Sequence, residues 1–211
     1  MKKIMFSDRY NLTKAVLERR KTQTRRIMKG KPLLPSDEIE SAGVLGDVIQ
    51  IIANGGESLI TMRLPFRVGE VVAVAQSYCS IADELENCNN ATCVSHYAKN
   101  VQKASEYISW MEHPGFNNKM FVNPELMSHQ IRITGARIER LQDISDEDCL
   151  REGVRYFPDI DLYYFERVDK ERGFYFNSPR EAFAALIDKV SGAGTWDSNP
   201  FVVVYEFELI K

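Results

Sequence analysis

Residues 201–210 are the part of the sequence that most limits the fold. They read Phe-Val-Val-Val-Tyr-Glu-Phe-Glu-Leu-Ile, an alternating run rich in β-branched and aromatic residues, which predicts a strand. Strands are also predicted at 3–6, 71–78 and 131–141, and a hairpin at 47–53 and 58–64, with its turn at Asn54-Gly55-Gly56. Short strands with helices at their joins favour an α+β fold that is mostly β: a small antiparallel barrel with peripheral helices.

Three helices are predicted around these strands, at residues 7–19, 145–152 and 178–191. Each begins at a serine, a residue type that caps helix N-termini, and the last two end beside Gly153 and Gly192. Residues 30–46 are rich in Pro, Gly and Ser and predict a loop. Residues 156–176 are aromatic and have no clear period.

Residues 79–130 interrupt the β pattern and are predicted to be an insertion within a single domain of residues 1–211. They hold three of the 4 cysteines, all 3 histidines, Asn-rich turns and one helical piece near 101–111. A chain of 211 residues can bury one good core and still carry an insertion of this size. We expect the insertion to pack beside or over the core.

The composition is that of an ordinary globular protein, with 44% hydrophobic and 27% charged residues. No apolar run approaches the length of a membrane span, and the N-terminus does not resemble a secretory signal. The cysteines do not form the dense pattern of a disulfide-rich protein. We therefore expect a cytoplasmic protein with reduced cysteines, no membrane association and no cofactor.

A group of cysteines and one histidine carries a separate hypothesis. Cys79, Cys88, Cys93 and His96 are residue types that bind zinc, but their spacing is irregular and unlike that of a zinc knuckle. Free thiols in the insertion are the default interpretation, so we predict no metal site, and zinc is the alternative.

The positive charge of the chain is concentrated in one short segment, the basic turn, residues 19–29. It reads Arg-Arg-Lys-Thr-Gln-Thr-Arg-Arg over residues 19–26, and Lys29 follows. The first thirty residues carry ten Lys and Arg against two Asp and Glu, although the whole chain has a formal net charge of −3. Such a cluster between a helix and a strand predicts an anion site, most commonly for phosphate. The alternative is a solvated helix end whose cations suit the helix dipole.

Several short motifs occur in an order that points to one family. They are Lys21, Thr24 and Arg26, then Gly69-Glu70 before a strand that ends near Gln76, the run 141–145 that leads to Glu152-Gly153, and the ending 196–201. On these motifs the chain resembles the ASCH family, and more closely its phage-associated branch. The resemblance implies the PUA-like β-barrel and an RNA-related role. One bacterial branch hydrolyses N4-acetylcytidine with a Lys, a Thr and a Glu, which fall here on Lys21, Thr24 and Glu152.

Two positions depart from the pattern of the family. Arg19 stands where the motif has a glycine, so the turn either does not require a glycine-only backbone or has been rebuilt. Gln76, preceded by Ala75, stands where close phage relatives carry an Arg-Glu pair, so we expect a pocket wall with less charge at that strand.

The residues that the resemblance assigns to catalysis have suitable chemistry. The Thr24 hydroxyl can act as a nucleophile, and the Lys21 amine can act as its base if it is partly neutral. Neighbouring arginines lower the pKa of Lys21, whereas a helix C-terminus raises it. Glu152 can orient Lys21 or accept a hydrogen bond from a cytosine-type amine. The alternative is a surface glutamate that is solvated or paired with Arg151 or Arg155.

Four further residues are assigned to binding RNA or a modified nucleoside: Arg20, Arg25, Arg26 and Gln76. The planar guanidinium groups of Arg25 and Arg26 suit phosphate better than they suit catalysis. Trp196 and Tyr163-Tyr164-Phe165 can stack on a base, although aromatic residues in such positions more often form a core.

Three functions compete on this basis. In the first, the protein is an amidohydrolase that acts on an N-acylated nucleoside. In the second, it binds RNA or a modified nucleoside without chemistry, and Lys21 stays charged and pairs with phosphate. In the third, it is a phage-derived accessory protein whose insertion binds a protein partner. We favour an ASCH-type nucleic-acid-related protein, with hydrolysis as an activity to be tested.

Overall fold

The computed structural model describes residues 1–28, 39–53, 58–86, 114–168 and 174–210. These ranges contain both strands and helices, which confirms the α+β class. Over the same ranges, each helix is too short or too polar to cross a membrane.

The strands are β1 (Lys3–Ile4), β2 (Gln23–Ile27), β3 (Ile39–Leu45), β4 (Val48–Ala53), β5 (Ser58–Arg63), β6 (Val71–Val74), β7 (Gln130–Arg140), β8 (Arg155–Phe157), β9 (Leu162–Phe165), β10 (Phe174–Phe176) and β11 (Phe201–Leu209). The helices are α1 (Leu12–Leu17), α2 (Tyr78–Glu86), α3 (Asp146–Arg151) and α4 (Pro179–Ser191).

The chain divides into two compact units, each with its own contacts. The first unit contains Met1–Phe6, Val71–Ile131 and Ile210–Lys211, and therefore includes the described residues of the predicted insertion. In the first unit, β1 pairs in parallel with β6, and the start of β7 is the neighbour of β6 in the sheet. Buried Tyr78, Ile81 and Met127 contribute to its apolar core. The Lys3 ammonium donates to three backbone carbonyls of residues 119–122, which ties β1 to this unit.

The second unit contains Ser7–Glu70 and Arg132–Leu209. Here the rest of β7, β11 and β2 are neighbours in that order, and β11 pairs antiparallel with β2. The predicted C-terminal strand is thus confirmed as β11, with Val204 and Tyr205 fully buried. On one side α4 contacts α3, β9 and β10, and Phe183 and Leu186 of α4 are buried.

A second sheet corrects the loop predicted at 30–46. Residues 39–45 form β3, which pairs antiparallel with β4, and β4 pairs antiparallel with β5 as the hairpin prediction required. The pairing of Leu45 with Val48 leaves Gly46-Asp47 as a two-residue turn, and Gly46 has φ +64. Such a glycine is typical of tight hairpins, and cross-strand pairing outweighs the low strand propensity of the Gly- and Ser-containing segment. Residues 30–38 lie outside the described part of the chain.

Two other element boundaries differ from the prediction. The strand predicted at 71–78 ends at Val74, and Tyr78 begins α2, for which the Ser77 hydroxyl accepts a hydrogen bond from Ser80 N. The helix predicted from Ser7 begins only at Leu12, after Asn11, because residues 8–10 form a separate 3₁₀ turn.

The serine caps of the two later helices are confirmed. Ser145 Oγ accepts from Asp148 N at 3.2 Å, and Ser178 Oγ accepts from Glu181 N at 3.1 Å. The aromatic segment after α3 is more regular than predicted, because it contains the antiparallel sheet β10-β9-β8.

Candidate functional site

The first part of the basic turn, residues 19–22, joins the end of α1 to β2, and residues 23–27 form β2 itself. The amides of Arg20 and Lys21 both donate to Ala15 O at 2.9 Å, which closes the C-terminus of α1. Arg19 has φ +59, in the left-handed region, and its side chain is exposed. The turn therefore keeps a left-handed backbone at residue 19. Glycine adopts this conformation most easily, but arginine adopts it here at a cost in free energy, so the turn does not require a glycine.

Lys21 and Glu152 meet in the interior of the second unit. Lys21 Nζ lies 2.5 Å from Glu152 Oε2 and 2.7 Å from the backbone oxygen of Glu152. Their side chains are only 2% and 6% exposed. Glu152 is therefore not the surface glutamate of the alternative interpretation, because it is buried and pairs with Lys21.

Local structure explains how Glu152 reaches the turn. It is the C-cap of α3, and the next residue, Gly153, has φ +110. A Cβ on Gly153 would lie 3.0 Å from Leu12 Cδ2 of α1. Thr22 N also donates to Arg151 O at 3.0 Å, so a backbone hydrogen bond joins the entry of β2 to the end of α3.

Burial controls the protonation of Lys21. Desolvation lowers the pKa of the Lys21 amine, the Glu152 carboxylate opposes this effect, and the positive charges of Arg26 and Arg25 add to it. The balance is a pKa below the usual value of a lysine. A neutral amine is therefore easier to form here than at an exposed lysine.

Arg25 is the centre of a buried ion-pair network. Its side chain is 0% exposed, and its guanidinium lies 2.7 Å from Glu139, 2.9 Å from Asp148 and 3.1 Å from Glu152. Glu152 therefore bridges Lys21 and Arg25 through its two carboxylate oxygens. The phosphate role assigned to Arg25 stays a prediction, and it requires these ion pairs to open.

Sequence reasoning missed the other members of this network. Arg137 on β7 binds Glu139, Asp148 and Glu206 at 3.0, 2.5 and 2.6 Å. The available signal was a pair of charged residues two positions apart near the end of each strand, Arg137 and Glu139 on β7 and Glu206 and Glu208 on β11, since residues with this spacing share one face of a sheet. Strand pairing then brings Glu206 opposite Gln23.

Thr24 and Arg26 belong to the other face of β2. Side chains alternate along a strand, so Gln23 and Arg25 point to one face and Thr24 and Arg26 to the opposite one. Thr24 is buried and pairs in register with Tyr205. Lys21 and Arg25 share Glu152, but the charge of Arg26, on the face of Thr24, also acts on both Lys21 and Glu152. The alternation therefore does not decide on which face of β2 the pair lies, and the role of Thr24 stays a prediction.

The two remaining candidates have their own contacts. Arg20 is 29% exposed and pairs with Glu18 at 2.6 Å and more distantly with Glu166 at 3.8 Å. Gln76 lies in the first unit, where its amide donates to Glu84 at 2.7 Å and accepts from Ser128 N at 3.0 Å.

The zinc hypothesis is only partly covered by the structure. Cys79 lies in α2, whereas Cys88, Cys93 and His96 lie outside the described residues. Within the described ranges, no group of His, Cys, Asp and Glu side chains is arranged to hold a metal ion. Cys149 is buried, and desolvation raises the pKa of its thiol to about 12, so it is unreactive.

Comparison with protein-family models, with curated proteins and with solved structures finds no match to this chain. The resemblance to the ASCH family therefore stays a prediction that rests on the motifs.

Proposed function

We propose that this chain is an ASCH-type protein that binds RNA or a modified nucleoside beside its basic turn. The fold that goes with this proposal is the PUA-like β-barrel with residues 79–130 inserted. The observation that carries it is the buried contact of 2.5 Å between Lys21 Nζ and Glu152 Oε2, two residues 131 positions apart in the sequence. These are two of the three residues that the resemblance assigns to the site.

The chemistry of the pair suits a cytosine-type base. Such a base presents an exocyclic amine, which donates, beside a ring nitrogen, which accepts. Glu152 can accept from that amine, and Lys21 can donate to the ring nitrogen or the neighbouring carbonyl. Because both side chains are almost fully buried, the base must replace part of their mutual contact. Arg20, which is partly exposed at the same turn, can then pair with phosphate.

Binding is tested with cytidine and N4-acetylcytidine as titrants, by calorimetry and by the shifts of protein NMR signals. Lys21→Met and Glu152→Gln should each weaken binding at least tenfold, because the first leaves an acceptor of the base unpaired and the second replaces a charged acceptor by a weaker neutral one. Lys119→Met is the matched control for the lysine, since Lys119 is also buried but belongs to the first unit. Glu139→Gln is the control for the carboxylate, since it removes charge beside Arg25 but not beside Lys21.

Two results would contradict the binding proposal. One is that neither nucleoside binds the wild-type protein at millimolar concentration. The other is that the two control variants, when folded, lose as much affinity as the two site variants, because the effect would then be one of general stability.

Hydrolysis of an N4-acylcytidine-type amide is the second candidate function. It is favoured by one observation, the lowered pKa of Lys21, because a general base must be neutral to accept a proton. In this version the Thr24 oxygen attacks the acyl carbon, its proton passes to Lys21, and the exocyclic amine leaves with a proton. Water then cleaves the acyl-threonine ester. Thr24 is buried in β2, and its role as the nucleophile rests on the resemblance.

Chromatography of N4-acetylcytidine incubated with concentrated protein tests this version. Turnover that is lost in Lys21→Met and Thr24→Ala but kept in Lys119→Met would support it. Turnover that survives in Thr24→Ala would remove Thr24 as the nucleophile, and no turnover by the wild-type protein would remove the hydrolase function for this substrate.

A further inference from the structure

The strand register sorts the aromatic residues of the β10-β9-β8 sheet onto two faces. Arg155, Tyr164 and Tyr175 are paired across the three strands, so their side chains share one face. Phe157 and Leu162 are paired two residues away and lie on the same face. We call this set the aromatic face; its members are Arg155, Phe157, Leu162, Tyr164 and Tyr175.

On the opposite face, the middle of the sheet packs into the core of the second unit, while Tyr156 on β8 is exposed. Phe165 is fully buried there and packs edge-on against Tyr10, with ring centroids 5.8 Å apart. Phe174 and Phe176 stack on Phe165 at 5.4 and 6.0 Å. Of the aromatic residues 163–165, Phe165 thus belongs to the core, whereas Tyr164 lies on the aromatic face.

The three rings of the aromatic face form one cluster that solvent reaches. Tyr164 lies 5.8 Å from Tyr175 and 6.2 Å from Phe157, and Phe157 and Tyr175 are 6.4 Å apart with an interplanar angle of 27°. Tyr175 is 45% exposed. The Arg155 guanidinium lies 5.4 Å from the centre of the Tyr164 ring. Flat rings and a guanidinium are therefore presented together.

One border of this face is a chain of ion pairs with a net positive charge. Glu166, which follows β9, accepts from Arg155 and lies 3.8 Å from Arg20 of the basic turn. Arg20 also pairs with Glu18, and Glu18 lies 3.9 Å from Lys14. The chain thus holds three cations, Lys14, Arg20 and Arg155, and two carboxylates, Glu18 and Glu166, and its net charge is +1.

We propose that the aromatic face is a stacking surface for single-stranded nucleic acid, with its bases on Tyr175 and the neighbouring rings and its phosphates along the positive border. Single strands expose both base faces and phosphates, whereas a duplex hides its base faces. A protein partner is favoured less, because the patch holds only three rings and one leucine beside charged groups. The inference shares with the proposed function the class of ligand and a phosphate contact at Arg20, but it requires neither Lys21 nor Glu152, so either can fail without the other.

The test measures fluorescence anisotropy of two labelled probes, an eight-nucleotide oligouridylate and an eight-nucleotide oligothymidylate, at low salt. Tyr175→Ala should weaken binding at least fivefold, because one stacking contact is lost, and Tyr175→Phe should bind as the wild type does. Tyr156→Ala is the matched control. Tyr156 is 44% exposed on the same sheet, but its pairing with Tyr163 places it on the opposite face.

Charge is tested separately by the dependence of affinity on salt. If Arg155 neutralises one phosphate, Arg155→Gln should reduce the slope of log affinity against log salt by about 0.7. Equal binding of both probes would indicate that bases and phosphates suffice, and a preference for oligouridylate would indicate contacts to the 2′-hydroxyl. Both results support the proposal.

Three results would overturn it. The first is that neither probe binds the wild-type protein at low salt. The second is that Tyr156→Ala weakens binding as much as Tyr175→Ala. The third is that Tyr175→Ala changes only the sedimentation of the protein, which would make this face an interface between copies of the chain. Binding of free cytidine, which depends on Lys21 and Glu152, should be the same in Tyr175→Ala, and its loss there would show that the two sites are not separate.

Discussion

Glu152 uses both carboxylate oxygens to hold two cations of the segment that enters β2. One oxygen lies 2.5 Å from Lys21 Nζ and the other 3.1 Å from Arg25. A carboxylate at a helix C-terminus faces the unfavourable end of the helix dipole, so these two cations supply the stabilisation that the helix does not. Removal of either partner leaves a buried charge that is poorly compensated. A ligand that separates Glu152 from Lys21 must therefore form hydrogen bonds with both of them in place of their mutual contact.

Arg19 is a residue whose backbone conformation costs stability. We expect Arg19→Gly to raise the free energy of unfolding by about 0.5–1 kcal/mol. The left-handed conformation costs an arginine about 1–2 kcal/mol, which glycine avoids. Part of this gain is lost because glycine makes the unfolded chain more flexible. Denaturant unfolding followed by circular dichroism measures the change. The side chain is exposed, so few contacts are lost.

Lys14→Gly is the control for this substitution. Lys14 is an exposed cation within α1, where glycine should lower the free energy of unfolding by about 1 kcal/mol. If Arg19→Gly destabilised the protein as much as Lys14→Gly does, the left-handed backbone of Arg19 would not be a source of strain.

At the scale of elements, the end of α3 shows how one glycine positions the site. We expect Gly153→Ala to destabilise the protein more than Gly192→Ala, although both glycines have similar φ values, +110 and +115. The strain of a side chain at such φ is common to both, at about 1–3 kcal/mol. Only the Cβ at Gly153 meets another atom closely, Leu12 Cδ2 at 3.0 Å, which adds about 1 kcal/mol of overpacking.

The pair of variants separates backbone strain from the close approach of α1 to α3. Thermal unfolding of both, with the wild type beside them, measures the difference directly. Equal destabilisation would mean that Leu12 moves aside without cost and that the contact does not fix the end of α3. Gly192→Ala is suitable for comparison because no atom lies within 4 Å of its added Cβ.

Elements with local signals were the ones that could be predicted. The caps at Ser145 and Ser178 bond their own helices, so three or four neighbouring residues determine them. In contrast, β3 contains Ser41, Ala42 and Gly43, and it forms a strand because β4 pairs with it. The same holds for the sheet β10-β9-β8, whose short strands are stabilised by their neighbours. Propensity does not contain this information.

The candidate site shows the same limit for side chains. The basic turn and Glu152 could be singled out from the sequence, and the structure places Lys21 against Glu152. Arg137, Glu139 and Glu206 could not be assigned to them, because only the order of β7, β11 and β2 brings these residues to one face. Whether a charged residue on a strand meets a partner or water depends on sheet topology.

At the scale of the whole molecule, this acidic chain places some of its charged side chains in its interior. Four carboxylates of the second unit are held by three cations in one connected network: Glu139, Asp148, Glu152 and Glu206 with Lys21, Arg25 and Arg137. At the buried centre of this network, where Lys21, Arg25 and Glu152 meet, the loss of one charge affects the others, because little water is present to replace it. Global stability should therefore depend on the protonation of Asp148, which lies in this network.

We expect the free energy of unfolding to fall as the pH is lowered from 5 towards 2, and Asp148→Asn to lose less over that interval than the wild type. Although burial raises the pKa of Asp148, hydrogen bonds and charge from Arg25 and Arg137 hold it below the usual value. A depressed pKa adds stability above the pKa of the unfolded chain, and this is lost as the folded carboxylate is protonated.

Urea unfolding at several pH values measures both slopes, and Asp159→Asn, which changes an exposed acid of the same unit, should leave the slope of the wild type unchanged. Equal slopes for Asp148→Asn and the wild type would mean that Arg25 and Arg137 do not stabilise the ionised form of Asp148.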